Sequence, residues 1–320
     1  ALASDRATDE TRPRVVALLY VMLLVGMGLS SVIVGWLLQD FSPLRLVRVV
    51  QGCAVVTMVL NLVALWKQEK VRPMSRAERA AARPRFADAW ADLMRGGQAG
   101  RLLCVVAIGT FGFGMQDVLL EPYGGEILGL SVSATTLLTA LSATGALLAF
   151  LISARWLGAG RDPMRLAARG LLLGIAAFSA VVFAGPLASA PLFFAGAFGI
   201  GFGGGLFAVS TLTAAMTLPA DGTAGRGLAL GAWGAAQATA TGLAIAAGGA
   251  LRDLMDTLAG AGALGQALQQ PSTGYTFVYH TEIGLLFATL VILGPLVRTR
   301  VLNADEGASR RPMGIAEFPT

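Results

Sequence analysis

Eight apolar windows, each about twenty residues long, constrain this chain more than any other feature. They run over 15–38, 46–66, 102–120, 133–152, 166–185, 192–218, 228–251 and 277–297. A helix needs about 20 apolar residues to cross the hydrocarbon of a bilayer. Within lipid every backbone N–H and C=O must be satisfied inside the element, which for windows of this length means a helix. Charge points the same way: 13% of residues are charged and 55% are hydrophobic, against roughly 25% charged in a soluble domain. With a mean hydropathy of +0.68, a soluble chain of this size could not cover its apolar surface. The predicted fold class is all-α, a polytopic membrane protein.

Basic residues then orient the spans. Nine Lys and Arg between 67 and 101, from Lys67 to Arg101, fill the stretch after the second window, and the positive-inside rule places it in the cytoplasm. Arg155, Arg161, Arg165 and Arg169 fall on the same side two crossings later, as do Arg298, Arg300, Arg310 and Arg311. The opposite connections are short or nearly uncharged, with Arg45 and Arg48 a local exception. The linker and the C-terminus are thus expected to be cytoplasmic. The net charge is only +5 and sits in loops rather than on one folded face, which argues against nucleic acid as a partner.

The 41 glycines suit close helix approach in lipid, and Gly199–Gly203 and Gly227–Gly231 have the four-residue spacing of helix contacts. The run 199–205 has the look of a nucleotide loop, but it lies inside a span with no strand before it, so packing is its expected role. Cys53 and Cys104 lie in apolar windows without metal-ligand spacing, so neither a disulfide framework nor a metal site is expected. No Ser/His/Asp constellation and no soluble carboxylate cleft argues for an enzyme.

Four stretches between the spans invite separate readings. Phe86, Trp90, Leu93 and Met94 recur at helical spacing among charges, so a short amphipathic helix on the membrane surface competes with a plain solvated tether. Residues 252–275 are polar and glycine-rich and read as an irregular outer loop, and the tail after Asn303 reads as disordered. The opening ALASDRATDETRPR reads as a loop from within a longer protein.

Chemistry concentrates in residues 101–131, RLLCVVAIGTFGFGMQDVLLEPYGGEILGLS, an apolar run that ends in Asp117, Glu121 and Glu126. Asp117 and Glu121 share one face if the helix continues that far. Pro122 disfavours that continuation, and Gly124 and Gly125 mark a turn. Two readings stand: an acidic helix end wetted by water, or a polar mouth of Gln116, Asp117, Glu121, Tyr123 and Glu126 that holds a headgroup, a proton or a partner helix. Asn61 and Gln237 are further amides within spans, and such groups often bond a neighbouring helix. His280, the only histidine, opens the last span beside Tyr279 and two residues before Glu282. An interfacial anchor, an ion pair with Glu121 or Glu282, and an axial ligand to a chlorophyll magnesium are its three readings.

The run GFGMQDVLLEPYGGEILGLS with the following ATTLLTAL closely resembles the PucC family (LhaA and related proteins). RPRVVALLYVMLLVGM at 12–27 and PADGTAGRGLALGAWGAAQ at 219–237 match as well. The resemblance implies a major-facilitator-like bundle in the photosynthetic, intracytoplasmic inner membrane of a phototrophic bacterium. It also implies a role in light-harvesting antenna assembly, with bacteriochlorophyll and antenna polypeptides as partners beside the lipid itself. On that plan, residues 1–66 supply the last two helices of an N-terminal half that lacks its earlier helices. Residues 67–101 form the basic linker, 102–302 a six-helix C-terminal half and 303–320 a cytoplasmic tail. Arg161 and Asp162 resemble an altered copy of the major-facilitator loop motif, and Asp221 and Arg226 a comparable cytoplasmic latch. Ordinary positive-inside charge is the competing explanation of Arg161 and Asp162. An assembly factor is the leading reading, a secondary transporter of an amphiphile or a proton-coupled solute the alternative, and a structural antenna subunit a third.

Overall fold

The computed structural model describes residues 42–66, 85–95, 97–218 and 225–309, with scattered positions between 18 and 37. Most of the first apolar window, the linker over 67–84 and the tail beyond 309 lie outside the described residues. The chain divides into two units, Val21–Arg85 and Phe86–Thr320 with Ala1–Tyr20.

In the first unit, α1 (Pro43–Leu65) begins at Ser42, whose hydroxyl accepts the Arg45 N–H at 3.1 Å, with Pro43 pre-set for the first turn. None of its residues is buried, and its apolar character runs all round the helix, as suits an element solvated by lipid.

The second unit contains α2 (Phe86–Met94), α3 (Gln98–Gly114), a 3₁₀ turn (Met115–Val118), α4 (Leu120–Glu126), α5 (Val132–Gly158), α6 (Pro163–Ala184), α7 (Ala190–Met216), α8 (Gly225–Gly260) and α9 (Thr273–Ser309). No strand occurs among the described residues. Six helical stretches there are long and apolar enough to cross a membrane: α1, Gln98–Glu126, Leu137–Gly158, α6, α7 and Thr273–Val297. At 36 residues α8 is also long enough, although Ala, Gly and Thr make up much of it.

Glycine sets how closely these helices approach. In α7, Gly199 and Gly203 face α6, and a Cβ on Gly203 would come within 2.7 Å of the Gly170 carbonyl. Gly201 and Gly205 face the other way, against Ser142 and Ala146 of α5. Two four-residue pairs, set two residues apart, thus let one helix pack backbone-to-backbone on opposite sides. That is the work of the glycine run. Gly227 and Gly231 differ, since a Cβ on either would meet nothing.

Several connections depart from expectation. Helix α8 does not end near Leu251 but continues to Gly260. No breaker interrupts the stretch, and Arg252 and Asp256 pair one turn apart at 3.0 Å. Gly124 and Gly125 are helical, and the chain turns instead at Gly129, with φ +63°. Pro122 sits in the first turn of α4, where its missing N–H is no loss. Helix α9 runs on to Ser309, past Asn303. The amphipathic reading of 86–94 corresponds to α2, whose Ala89 and Leu93 are buried.

Candidate functional site

The site grows from a break in a membrane-spanning helix. Helix α3 stops at Gly114 and tightens into the 3₁₀ turn Met115–Val118 before α4 resumes. Neighbours hold the break from two sides: Gly248 of α8 lies against the Met115 carbonyl, and Gly112 fits against Leu285 and Leu286 of α9. A Cβ at either glycine would meet those atoms. A 3₁₀ segment within a helix often marks a hinge, and irregular backbone at membrane depth occurs where protein or a cavity satisfies it.

Glu282 reaches this break from α9. It is fully buried, and its Oε1 accepts the Gln116 N–H at 2.7 Å. It is the one carboxylate among the described residues that is buried. Gln116, itself buried, turns its amide to donate to Asp117 Oδ1 at 2.6 Å. Gln116 and Asp117 line a cavity of about 230 Å³, together with Thr110, Ser142, Gln237 and Thr241 from α3, α5 and α8. So two of the five residues expected at the mouth, with Gln237, do share one polar space.

The other three lie elsewhere. Glu121 is exposed and accepts the Thr139 hydroxyl at 2.6 Å. The 3₁₀ turn removes the simple four-residue register between Asp117 and Glu121. Tyr123 is buried against Phe193, Tyr275 and Tyr279, with ring centroids 5.3–5.5 Å apart. Glu126 accepts from the Tyr275 hydroxyl at 2.7 Å and pairs with Arg252 at 3.1 Å. Arg252 also meets Asp253 and Asp256, and lies 4.7 Å from the centre of the Tyr275 ring. Asp256 in turn accepts the Gly274 N–H at 3.0 Å. This network joins the end of α4 to α8 and the start of α9.

His280 lies on the exposed face of α9. Its Nδ1 is 2.8 Å from the Thr276 carbonyl. A carbonyl can only accept, so Nδ1 carries the hydrogen and, in the neutral ring, Nε2 keeps its lone pair. Buried Glu282 belongs to the opposite face, so the two do not form the pair considered from sequence. Gly284, one turn on from His280, would have open space at its Cβ.

Of the latch candidates, Asp162 caps α6 by accepting the Met164 N–H at 2.8 Å. Arg161 stacks on Trp156, 4.9 Å from the ring centre. Asp221 and the Arg226 side chain lie outside the described residues.

A second space is apolar. Helices α2, α3 and α8 enclose a groove of about 900 Å³, with Phe86 and Trp90 along one wall, Leu103 and Phe111 along another and Ala232 and Ala236 opposite.

Sequence reasoning named Glu282 only as an ion-pair partner considered for His280, and missed that it and Tyr279 are buried on the opposite face of α9. The signal was present: Tyr275, Val278, Tyr279, Glu282, Leu286, Thr289 and Leu293 recur at helical spacing, and all are buried. An acid on that stripe has to be accounted for.

The fold and its broken, carboxylate-capped span define an all-α, multi-pass membrane protein. Its relatives sharpen that class. The PUCC protein family model matches residues 1–301, and the chain belongs to that family. It is 59% identical over 323 residues to an uncharacterized protein in the puhA-bchM intergenic region of Rhodobacter capsulatus, covering 100% of this chain and 67% of that one. It is 50% identical over 256 residues to Protein PucC of Rhodovulum sulfidophilum, covering 79% and 56%. With Protein PucC of Rhodobacter capsulatus it shares 46% over 304 residues, covering 93% and 64%. The chain spans about 56–67% of the length of these relatives.

Proposed function

We propose that the protein is an assembly factor for bacterial light-harvesting antenna complexes, handling bacteriochlorophyll and antenna polypeptides within the photosynthetic membrane. Family membership supplies the class. The observation that carries the reading is the apolar groove of about 900 Å³ beside α2. Its wall is aromatic on one side and small-residued on the other. Such a groove suits a pigment tail or a single apolar helix, and offers almost nothing to a water-soluble substrate. His280 is the candidate pigment ligand. A ligating imidazole commonly donates its other N–H to a carbonyl, which is the bond His280 makes with Thr276.

The protein lies in the inner, intracytoplasmic membrane with its linker and C-terminus on the cytoplasmic side. The C-terminal six helices are arranged as half of a major-facilitator-like bundle. Gln116 and Asp117 hold a polar group of the cargo, while Tyr123 and Glu126 support the same end of the bundle. Arg161, Asp162, Asp221 and Arg226 latch its cytoplasmic end. A second reading, alternating-access transport of an amphiphile, is favoured by one observation, the broken span beside a polar cavity.

The test is affinity purification of the full-length protein from photosynthetic membranes in mild detergent. Co-purification of bacteriochlorophyll and an antenna polypeptide, reduced by Ala232→Trp in the groove, is expected. Recovery of neither, with the protein itself intact, would contradict the proposal.

A further inference from the structure

We propose that Glu282 is an intramembrane proton-binding site whose occupancy sets the state of the break in α3. The inference does not depend on what the protein assembles.

Depth is the first argument. Glu282 is the tenth residue of the span Thr273–Val297, about 13 Å in from its start at 1.5 Å per residue. An ionisable group buried there is costly to keep and marks function unless a partner neutralises it. No cation fills that role among the described ion pairs, since Arg252 is taken up by Glu126, Asp253 and Asp256.

Satisfaction is the second. The backbone N–H groups of Gln116 and Met115 both approach the Glu282 carboxylate; Oε1 receives the Gln116 N–H at 2.7 Å, while Oε2 is buried without a hydrogen-bond partner. Three residues earlier, on the same side of α9, the Tyr279 hydroxyl is also fully buried and unpartnered. Elsewhere the buried hydroxyls of Thr211, Thr213 and Thr289 are satisfied by carbonyls of the preceding turn, while those of Ser153 and Ser210 are not. Glu282 stands apart from all of these because it can carry a charge. An ionised carboxyl and a phenol leave an acceptor and a donor unmatched. A proton on Oε2 removes the buried charge, and a neutral carboxyl with one unpartnered oxygen costs far less to keep in an apolar site than an ionised one.

Access and consequence come from the break. Gln116 donates its backbone N–H to Glu282, and Asp117 beside it lines the polar cavity of about 230 Å³. Protons reach Glu282 from the cavity by way of Asp117. The groups that face Glu282 are few. Asp117 comes from the 3₁₀ turn and Tyr279 from α9 itself, while Tyr123 of α4 and the non-titrating Phe178 of α6 pack on Tyr279 rather than on the carboxylate. His280 lies on the exposed face of α9. The ionised carboxylate grips the Gln116 N–H with a charge-assisted bond that the neutral acid cannot match. Protonation therefore loosens the turn and frees α4 to shift.

Full-length protein in lipid nanodiscs tests this at acid and alkaline pH with two readouts. One is the high-frequency infrared stretch of a protonated carboxylic acid in a dry, buried site, set apart from the bands of the solvent-exposed carboxylates. The other is amide hydrogen exchange over residues 115–118, corrected for the intrinsic pH dependence. The expected result is a carboxylic-acid band that grows on acidification, with exchange at Gln116 rising roughly tenfold, the size of a lost charge-assisted bond. E282Q should lack both changes, and Asp117→Asn should keep the band but slow its appearance. If E282Q does not fold, E282D serves instead and must show a displaced band with a retained exchange step. A pH-independent exchange rate in the native chain, or a band that survives in E282Q, would overturn the proposal. So would a band that changes while exchange does not, because Glu282 would then be only a static cap.

Discussion

Arg252 shows how much one side chain can hold together. It meets three acids and a tyrosine ring drawn from α4, α8 and α9. Arg252→Ala leaves Glu126 bonded only to the Tyr275 hydroxyl among these partners, and should lower stability by about 1–2 kcal/mol, within the range for charged hydrogen bonds at a partly exposed site. Unfolding of the purified protein in detergent measures that loss. His280 is the opposite case. It is exposed and bonds only to the backbone of its own helix, so His280→Ala should change stability by less than about 0.5 kcal/mol. If it ligates pigment, the same variant should lose co-purifying bacteriochlorophyll while unfolding at the native denaturant concentration. A variant that keeps its pigment would remove His280 from the account. Sequence alone marked both neighbourhoods and could not tell these roles apart, because exposure and opposite helix faces are tertiary facts. Glu126 read as a mouth residue, yet its partners Arg252 and Tyr275 lie more than a hundred positions away.

Among the helices, glycine separates contacts already made from surfaces still open. Gly203 lies against the backbone of α6, whereas Gly231 has nothing within reach of a Cβ. Gly203→Ala should therefore cost about 1–3 kcal/mol, because two backbones must separate. Gly231→Ala should be neutral or stabilise by up to about 1 kcal/mol through helix propensity. Parallel unfolding curves for the two variants check the contrast, and equal losses would refute it. Most spans were legible because a twenty-residue apolar window is a strong signal. The extension of α8 over residues 252–260 was not, because its polar residues face partners that only the fold supplies. The break at Met115–Val118 was equally hidden. Its surrounding glycines look like ordinary packing residues, and what defines the break is a carboxylate more than 160 positions further on.

At the scale of the whole molecule, the second unit combines two spaces of opposite character. One is the apolar groove between α2, α3 and α8, and the other is the small polar cavity at the break of α3. An amphiphile with a long apolar part and one polar or metal-bearing end matches that combination better than a purely polar solute. The resemblance to the family is strongest in the run GFGMQDVLLEPYGGE, whose first part holds the broken span, and the family model extends it over residues 1–301. Composition alone identifies a membrane protein and no more, since lipid solvates many unrelated helix bundles equally well. The most direct test of the assembly account is the near-infrared absorption spectrum of photosynthetic membranes with and without the full-length gene. Loss of an antenna band with the reaction-centre bands retained, restored by the native gene, is the predicted result. An unchanged antenna spectrum in the deletion strain would contradict the account and turn the question to transport.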